Sequence, residues 1–139
     1  MKPHASHLAP ICLLLGFFTV LHGQVIVANR NLKANEITKS EVRMIFTGES
    51  TLLKDGSRAV PVVLKAGQAH EEFLKTYIGK SAPAFLAGWR NLMFSGRAAM
   101  PKTFDTESAL LDYVAANPSA IGYVGNRPKT QEVKALQIN

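Results

Sequence analysis

The sequence predicts an α/β fold in which helices cover a small mixed sheet, on three observations. Short apolar runs rich in β-branched residues, at Val25-Ile26-Val27-Ala28, Ala59-Val60-Pro61-Val62-Val63-Leu64 and Ile121-Gly122-Tyr123-Val124, have the length and composition of buried strands. Segments with apolar residues at helical spacing lie between them, and cap or turn residues mark the joins. The chain has 139 residues, 47% hydrophobic and 19% charged, with ten Gly, seven Pro and one Cys. That composition suits one small domain and excludes a collagen-like chain, a disulfide scaffold and a polytopic membrane protein.

The first element belongs outside the fold. Lys2, His4 and His7 precede an apolar run from Leu8 to Leu21, which as a helix would be about 21 Å long. A bilayer core needs roughly 30 Å, so residues 1–23 read as a secretory signal peptide cut after Gly23. Cys12 lies inside that run, without the small residues that precede a lipoprotein cysteine, so residues 24–139 are expected to hold no thiol and no lipid. Lys2 is the one charged residue among 1–23; the remainder keeps 15 basic against 10 acidic residues, a net +5. The balance favours anions but falls short of a nucleic-acid binder.

Residues 24–139 contain no linker and no repeat, and form one predicted domain. Val25–Ala28 opens it as a buried strand. Thr38-Lys39-Ser40-Glu41 has the form of a capping box, with Val42, Ile45 and Phe46 following on one face and Gly48 as a left-handed stop. Lys54-Asp55-Gly56-Ser57 is a turn before the second strand, Ala59–Leu64, where Pro61 belongs near the start or at an edge because it has no N–H to donate. From Ala69 to Ile78 a helix places Phe73, Leu74, Tyr77 and Ile78 together, with Glu71 and Glu72 in its first turn and Gly79 as its end. Ser81 caps the longest helix, which tolerates Pro83 in its first turn and carries Phe85, Leu86, Trp89, Leu92 and Met93 at helical spacing, the aromatic members toward the core. A helix from Asp105 to Asn117 buries Leu110, Leu111 and Val114, Ile121–Val124 is the third strand, and Lys134–Ile138 is a candidate fourth.

Two motifs resemble a known family. Ile37-Thr38-Lys39-Ser40-Glu41-Val42-Arg43-Met44-Ile45-Phe46-Thr47-Gly48 resembles a helix ending Ile-Phe-x-Gly in the phosphate-type periplasmic substrate-binding proteins of ABC transporters. Ala115-Ala116-Asn117-Pro118-Ser119-Ala120-Ile121-Gly122-Tyr123-Val124 is similar to the closing motif of that family. Phe73-Leu74, Trp89 and Phe94-Ser95-Gly96 fall between them, where short members carry similar residues. The resemblance covers roughly Val25 to Val124.

It implies a type II periplasmic-binding-protein fold, a periplasmic location and a small oxyanion such as phosphate as ligand, with an ABC permease or another envelope protein as partner. A two-lobed receptor needs far more chain than residues 24–139 supply. The expectation is therefore a single-lobe three-layer sandwich, and two copies paired face to face would rebuild a two-lobed cleft. The same fold without a ligand, acting as an interaction module, is the alternative.

The candidate ligand residues are Lys65, Gln68, Thr47, Ser95, Gly96 and Arg97. Full-length phosphate binders of the family place an Arg and a Ser-Gly-Thr after the second strand. Here the stretch is Lys65-Ala66-Gly67-Gln68-Ala69-His70-Glu71-Glu72, whose hydroxyls are missing and whose two carboxylates would repel a dianion, leaving Lys65 and Gln68 as the donors. Ser95-Gly96-Arg97 with Pro101-Lys102 offers a hydroxyl, a flexible backbone and two cations, and Thr47-Gly48-Glu49-Ser50-Thr51 offers three hydroxyls beside a glycine. Against these stands the plainer reading of helix ends and solvated loops.

His70, the one histidine after residue 23, reads as a surface residue near a helix start rather than a general base. No multi-histidine or thiolate metal site is expected and no cofactor is implied. No nucleophile elbow, zinc-protease helix or P-loop is present, so the chain reads as a non-enzyme.

Overall fold

The apolar run at the start of the predicted domain forms strand β1, Val25–Asn29, in the computed structural model, which describes residues 24–139. The predicted signal segment and Cys12 lie outside the described residues. A two-residue strand, β2 (Glu36–Ile37), leads into helix α1, Lys39–Phe46. Its capping box forms as the sequence predicts: Thr38 Oγ1 accepts the Glu41 N–H at 3.1 Å and the Glu41 carboxylate accepts the Thr38 N–H at 2.9 Å. Burial acts to raise the Glu41 pKa, but hydrogen bonds from the Thr38 and Lys54 backbone N–H groups hold it below the ordinary carboxylate value.

Strand β3, Val60–Leu64, has Pro61 as its second residue, before its ladder with the next strand begins at Val62, so the missing N–H breaks no pairing there. The helix expected from Ala69 to Ile78 is two pieces, α2 (Gln68–Phe73) and a π-helical turn, Leu74–Ile78, closed by the Gly79 N–H donating to Leu74 O at 2.7 Å with Gly79 at φ 71°. Helix α3 spans Ala82–Phe94 and is capped by Ser81, whose Oγ accepts the Ala84 N–H. Strand β4, Lys102–Phe104, went unread in the sequence. Helix α4, Glu107–Ala116, starts at a Thr106 cap, and β5 is Ala120–Val124. The candidate fourth strand is broken into β6, Val133–Ala135, and β7, Gln137–Ile138, which pair with different partners.

The main sheet runs β4-β3-β5-β1-β6, and β2 pairs with β7 beside it. Strand β3 is parallel to β4 and β5, whereas β1 is antiparallel to β5 and β6, with Val25 opposite Val124 and Val27 opposite Ala135. The sheet is mixed, as expected. Gly122 faces α4, where an added Cβ would lie 2.8 Å from Leu110 Cδ2 and 3.1 Å from Val62 Cγ2, while its neighbour Tyr123 points to the opposite side. There Tyr123 stacks on Phe73 at 3.8 Å between ring centroids, and Phe46 meets both edge-on. Helix α4 thus covers one face and α1, α2 and α3 the other, giving three layers.

His70 corrects the sequence reading. It is 5% exposed, with Nδ1 2.5 Å from the Tyr123 hydroxyl. Helix α2 begins at Gln68, two residues earlier, which turns the imidazole inward against the sheet. Asn29 is buried as well: its side-chain amide donates to Val114 O and Ala115 O, at 2.8 and 3.0 Å, and fastens the end of β1 to carbonyls of the last turn of α4.

Candidate functional site

Where α1 ends, Thr47 occupies the C-cap position and Gly48 takes φ 78°. Only glycine fits there, because a Cβ would lie 2.6 Å from Leu92 Cδ1 and 3.1 Å from the Trp89 ring. The indole is held from below by its own N–H, which donates to Phe46 O at 2.9 Å. The close approach of Gly48 to Trp89 fixes one side of a groove of about 470 Å³. Its other side is the start of β3 from Arg58 to Val62, its rim is the loop from Arg97 to Lys102 between α3 and β4, and Tyr113 of α4 closes one end. That volume lies within the range of small-molecule sites.

The chemistry of the lining is uneven in a way that selects charge. Arg58, Arg97 and Lys102 line the groove, with Ser50 and Thr51, and no Asp or Glu does so. Arg97 Nε donates to Ser95 Oγ at 2.9 Å, which steadies the guanidinium while leaving its two terminal nitrogens for another partner. Lys102 Nζ stands 4.9 Å from the centre of the Tyr113 ring, a cation–π arrangement. The rest of the lining is largely apolar and includes Ile45, Val60, Pro61, Val62, Trp89 and Met100.

The structure divides the six residues picked from the sequence. Arg97 lines the groove, Ser95 supports it, and Gly96, at φ 70°, makes the turn that sends the chain from α3 into the rim. Thr47 stands one residue before Gly48, with its hydroxyl donating to Arg43 O at 2.7 Å.

Lys65 and Gln68 lie elsewhere. They follow the far end of β3, about 13 Å along the strand from Val60 at a rise of about 3.3 Å per residue. There the Lys65 N–H donates to Phe104 O, and the Gln68 amide donates to Glu72 at 3.0 Å. Glu72 also accepts from Gln24 at 2.7 Å, and Glu107 accepts the Gly125 N–H at the same edge. Carboxylates dominate that end of the sheet, which disfavours an anion.

Arg58 and Tyr113 were missed. Arg58 precedes the second strand directly, but its sharing a groove with Lys102 depends on the parallel pairing of β3 with β4, which sets Lys102 opposite Val62, and β4 carries no strong sequence signal. Among the described residues no group of three His, Cys, Asp or Glu is placed to hold a metal ion. No helix among them is long and apolar enough to cross a membrane.

No protein-family model matches the chain, and no curated protein matches it significantly. Solved structures do. One, from Clostridium perfringens and assigned as a phosphate ABC transporter substrate-binding protein with bound phosphate, aligns with 84% of this chain and 44% of its own, at 19% identity and a TM-score of 0.64. A second, an ABC-type phosphate transport receptor from Vibrio cholerae, aligns with 84% of this chain and 46% of its own, at 20% identity and a TM-score of 0.63. The chain has the periplasmic-binding-protein fold. It spans less than half the length of either structure, so the binding-protein fold is present here as a single lobe.

Proposed function

We propose that this chain is an exported, single-lobe binding module that takes a small oxyanion of the phosphate kind and presents it to a partner in the cell envelope, such as an ABC permease. The observation that carries the reading is the convergence of Arg58, Arg97 and Lys102 on one groove that no carboxylate lines. The likeness of the fold to phosphate receptors supports it. Residues 1–23 serve export in this reading, and residues 24–139 are the module.

All three cations are exposed, and an exposed ion pair contributes only about 0.2–1 kcal/mol. Bare phosphate is therefore expected to bind weakly, and more weakly still as salt rises. Isothermal titration calorimetry at low ionic strength tests this: saturable heat with inorganic phosphate, reduced at least several-fold in Arg58→Ala/Arg97→Ala, is the expected result. No heat at millimolar phosphate, inorganic or organic, sinks the reading.

One observation favours a second reading, an interaction module. On the outer face of α3, Leu86, Met93 and Phe94 follow one another at helical spacing with Arg90 among them, and Phe94 is 80% exposed. An apolar patch with Arg90 within it suits a protein surface that carries an acidic residue. A photo-crosslinking residue at position 94 that captures the same envelope protein from wild-type and Arg58→Ala/Arg97→Ala chains, with phosphate silent in calorimetry, would favour it.

A further inference from the structure

We infer that the groove takes an organic anion with a flat apolar body, such as an aryl or alkyl phosphate or carboxylate, in preference to a bare inorganic oxyanion. The inference rests on the reading of this groove as the anion site and names the class of ligand. Its ground is the contrast within the lining. The cations are exposed, whereas the apolar lining open to solvent is Val60, Pro61 and Met100, with Ile45, Val62 and Trp89 buried behind it. A bare phosphate carries a full hydration shell and has nothing to offer Val60, Pro61 and Met100, so filling the groove with it would leave them facing water.

The polar groups nearest this apolar lining are already committed. The Trp89 N–H donates to Phe46 O, and the Ser50 hydroxyl donates to Leu52 O at 2.9 Å while accepting the Leu52 N–H at 3.1 Å. Donors remain at the rim, on the terminal nitrogens of Arg97 and on Arg58 and Lys102. A ligand that satisfies both zones has its charge beside the cations and its ring or chain against Val60, Pro61 and Met100. The volume, about 470 Å³, exceeds what a tetrahedral oxyanion fills and admits a six-membered ring beside it.

Trp89 is the single tryptophan of the chain, so its fluorescence reports on this groove directly. The full chain without its signal segment is titrated with three probes: phenyl phosphate, inorganic phosphate and benzyl alcohol. Phenyl phosphate is expected to change the emission saturably and to bind at least about tenfold more tightly than either of the others. Arg97→Gln, at an exposed site and with its fold checked by circular dichroism, is expected to remove most of that advantage over benzyl alcohol.

Equal affinity for phenyl phosphate and inorganic phosphate overturns the inference and leaves the oxyanion reading standing. Equal affinity for phenyl phosphate and benzyl alcohol overturns the inference as well, by making the site merely apolar. Silence from all three, in fluorescence and calorimetry, removes both.

Discussion

Tyr123 and His70 form a buried hydrogen-bonded pair across the sheet and α2. The phenol oxygen accepts the Leu64 N–H at 3.0 Å and lies 2.5 Å from His70 Nδ1. With that N–H on its oxygen, the hydroxyl is left to donate to Nδ1, which assigns a neutral imidazole protonated at Nε2. Burial lowers the His70 pKa, against a smaller opposing effect of Glu71, and burial raises that of Tyr123.

The first prediction follows from the sign of the histidine shift. The folded pKa lies below the unfolded value of about 6.5, so on acidification the unfolded chain takes up the proton first. This contribution to stability is complete above about pH 6.5 and is lost as the pH falls through that value toward the folded pKa. Urea midpoints should drop between about pH 7.5 and 5.5, above the usual carboxylate range. In His70→Gln, which keeps a neutral acceptor, that slope should largely vanish. An unchanged slope in the variant would remove His70 as its source.

Tyr123→Phe keeps the aromatic stack on Phe73 and deletes the oxygen. Leu64 N–H then has no partner in a buried setting, at a cost of about 1–3 kcal/mol. Chemical denaturation should show that loss with an unchanged m-value, since the surface exposed on unfolding stays the same.

At Gly122 a single methyl group would collide with Leu110 and Val62. Gly122→Ala should destabilise by about 1–3 kcal/mol through overpacking of α4 against the sheet. Gly122→Ala should cost less in a Leu110→Ala background than in the wild-type chain, because the smaller side chain makes room. Strictly additive penalties would show that the contact does not limit stability.

Asn29 binds two carbonyls at the end of α4 and also accepts the Asn31 N–H at 2.9 Å. Asn29→Asp should be at least as harmful as Asn29→Ala at neutral pH, because a carboxylate would face the negative end of the helix dipole and cannot donate. Thermal unfolding of the two variants checks the order. A milder Asp variant would mean that the helix end is not held by this amide.

Gly48→Ala links fold and groove. The substitution forces a left-handed backbone on alanine and drives its methyl into Leu92 and Trp89, so both a lower melting temperature and a shifted Trp89 emission are expected. A destabilised chain with unaltered emission would indicate that Leu92 alone absorbs the strain.

The parts of this fold visible in the sequence were those decided locally. The Thr38 and Glu41 box, the Ser81 cap, the Gly48 and Gly79 helix ends and the β-branched strands β1, β3 and β5 each declare themselves within a few residues. Strand β4 did not, because Lys102-Thr103-Phe104 is short and polar and becomes a strand only through its pairing with β3. The same holds for β2 and β7, two residues each. His70 looked like a polar residue near a helix start, and its burial depends on Tyr123, distant in sequence. Within the groove, Arg97 could be picked out with its supporting serine, whereas Arg58 joined it only when the sheet had been assembled.

The position of β1 between β5 and β6 sets the order in which the molecule can be built. The first strand of the domain has both of its neighbours near the opposite terminus, in Ala120–Val124 and Val133–Ala135. While the polypeptide emerges from the ribosome, Val25–Asn29 has nowhere to dock until almost everything else has been synthesised. Val25–Asn29 therefore takes its place in the sheet only after β5 and β6 have both been made.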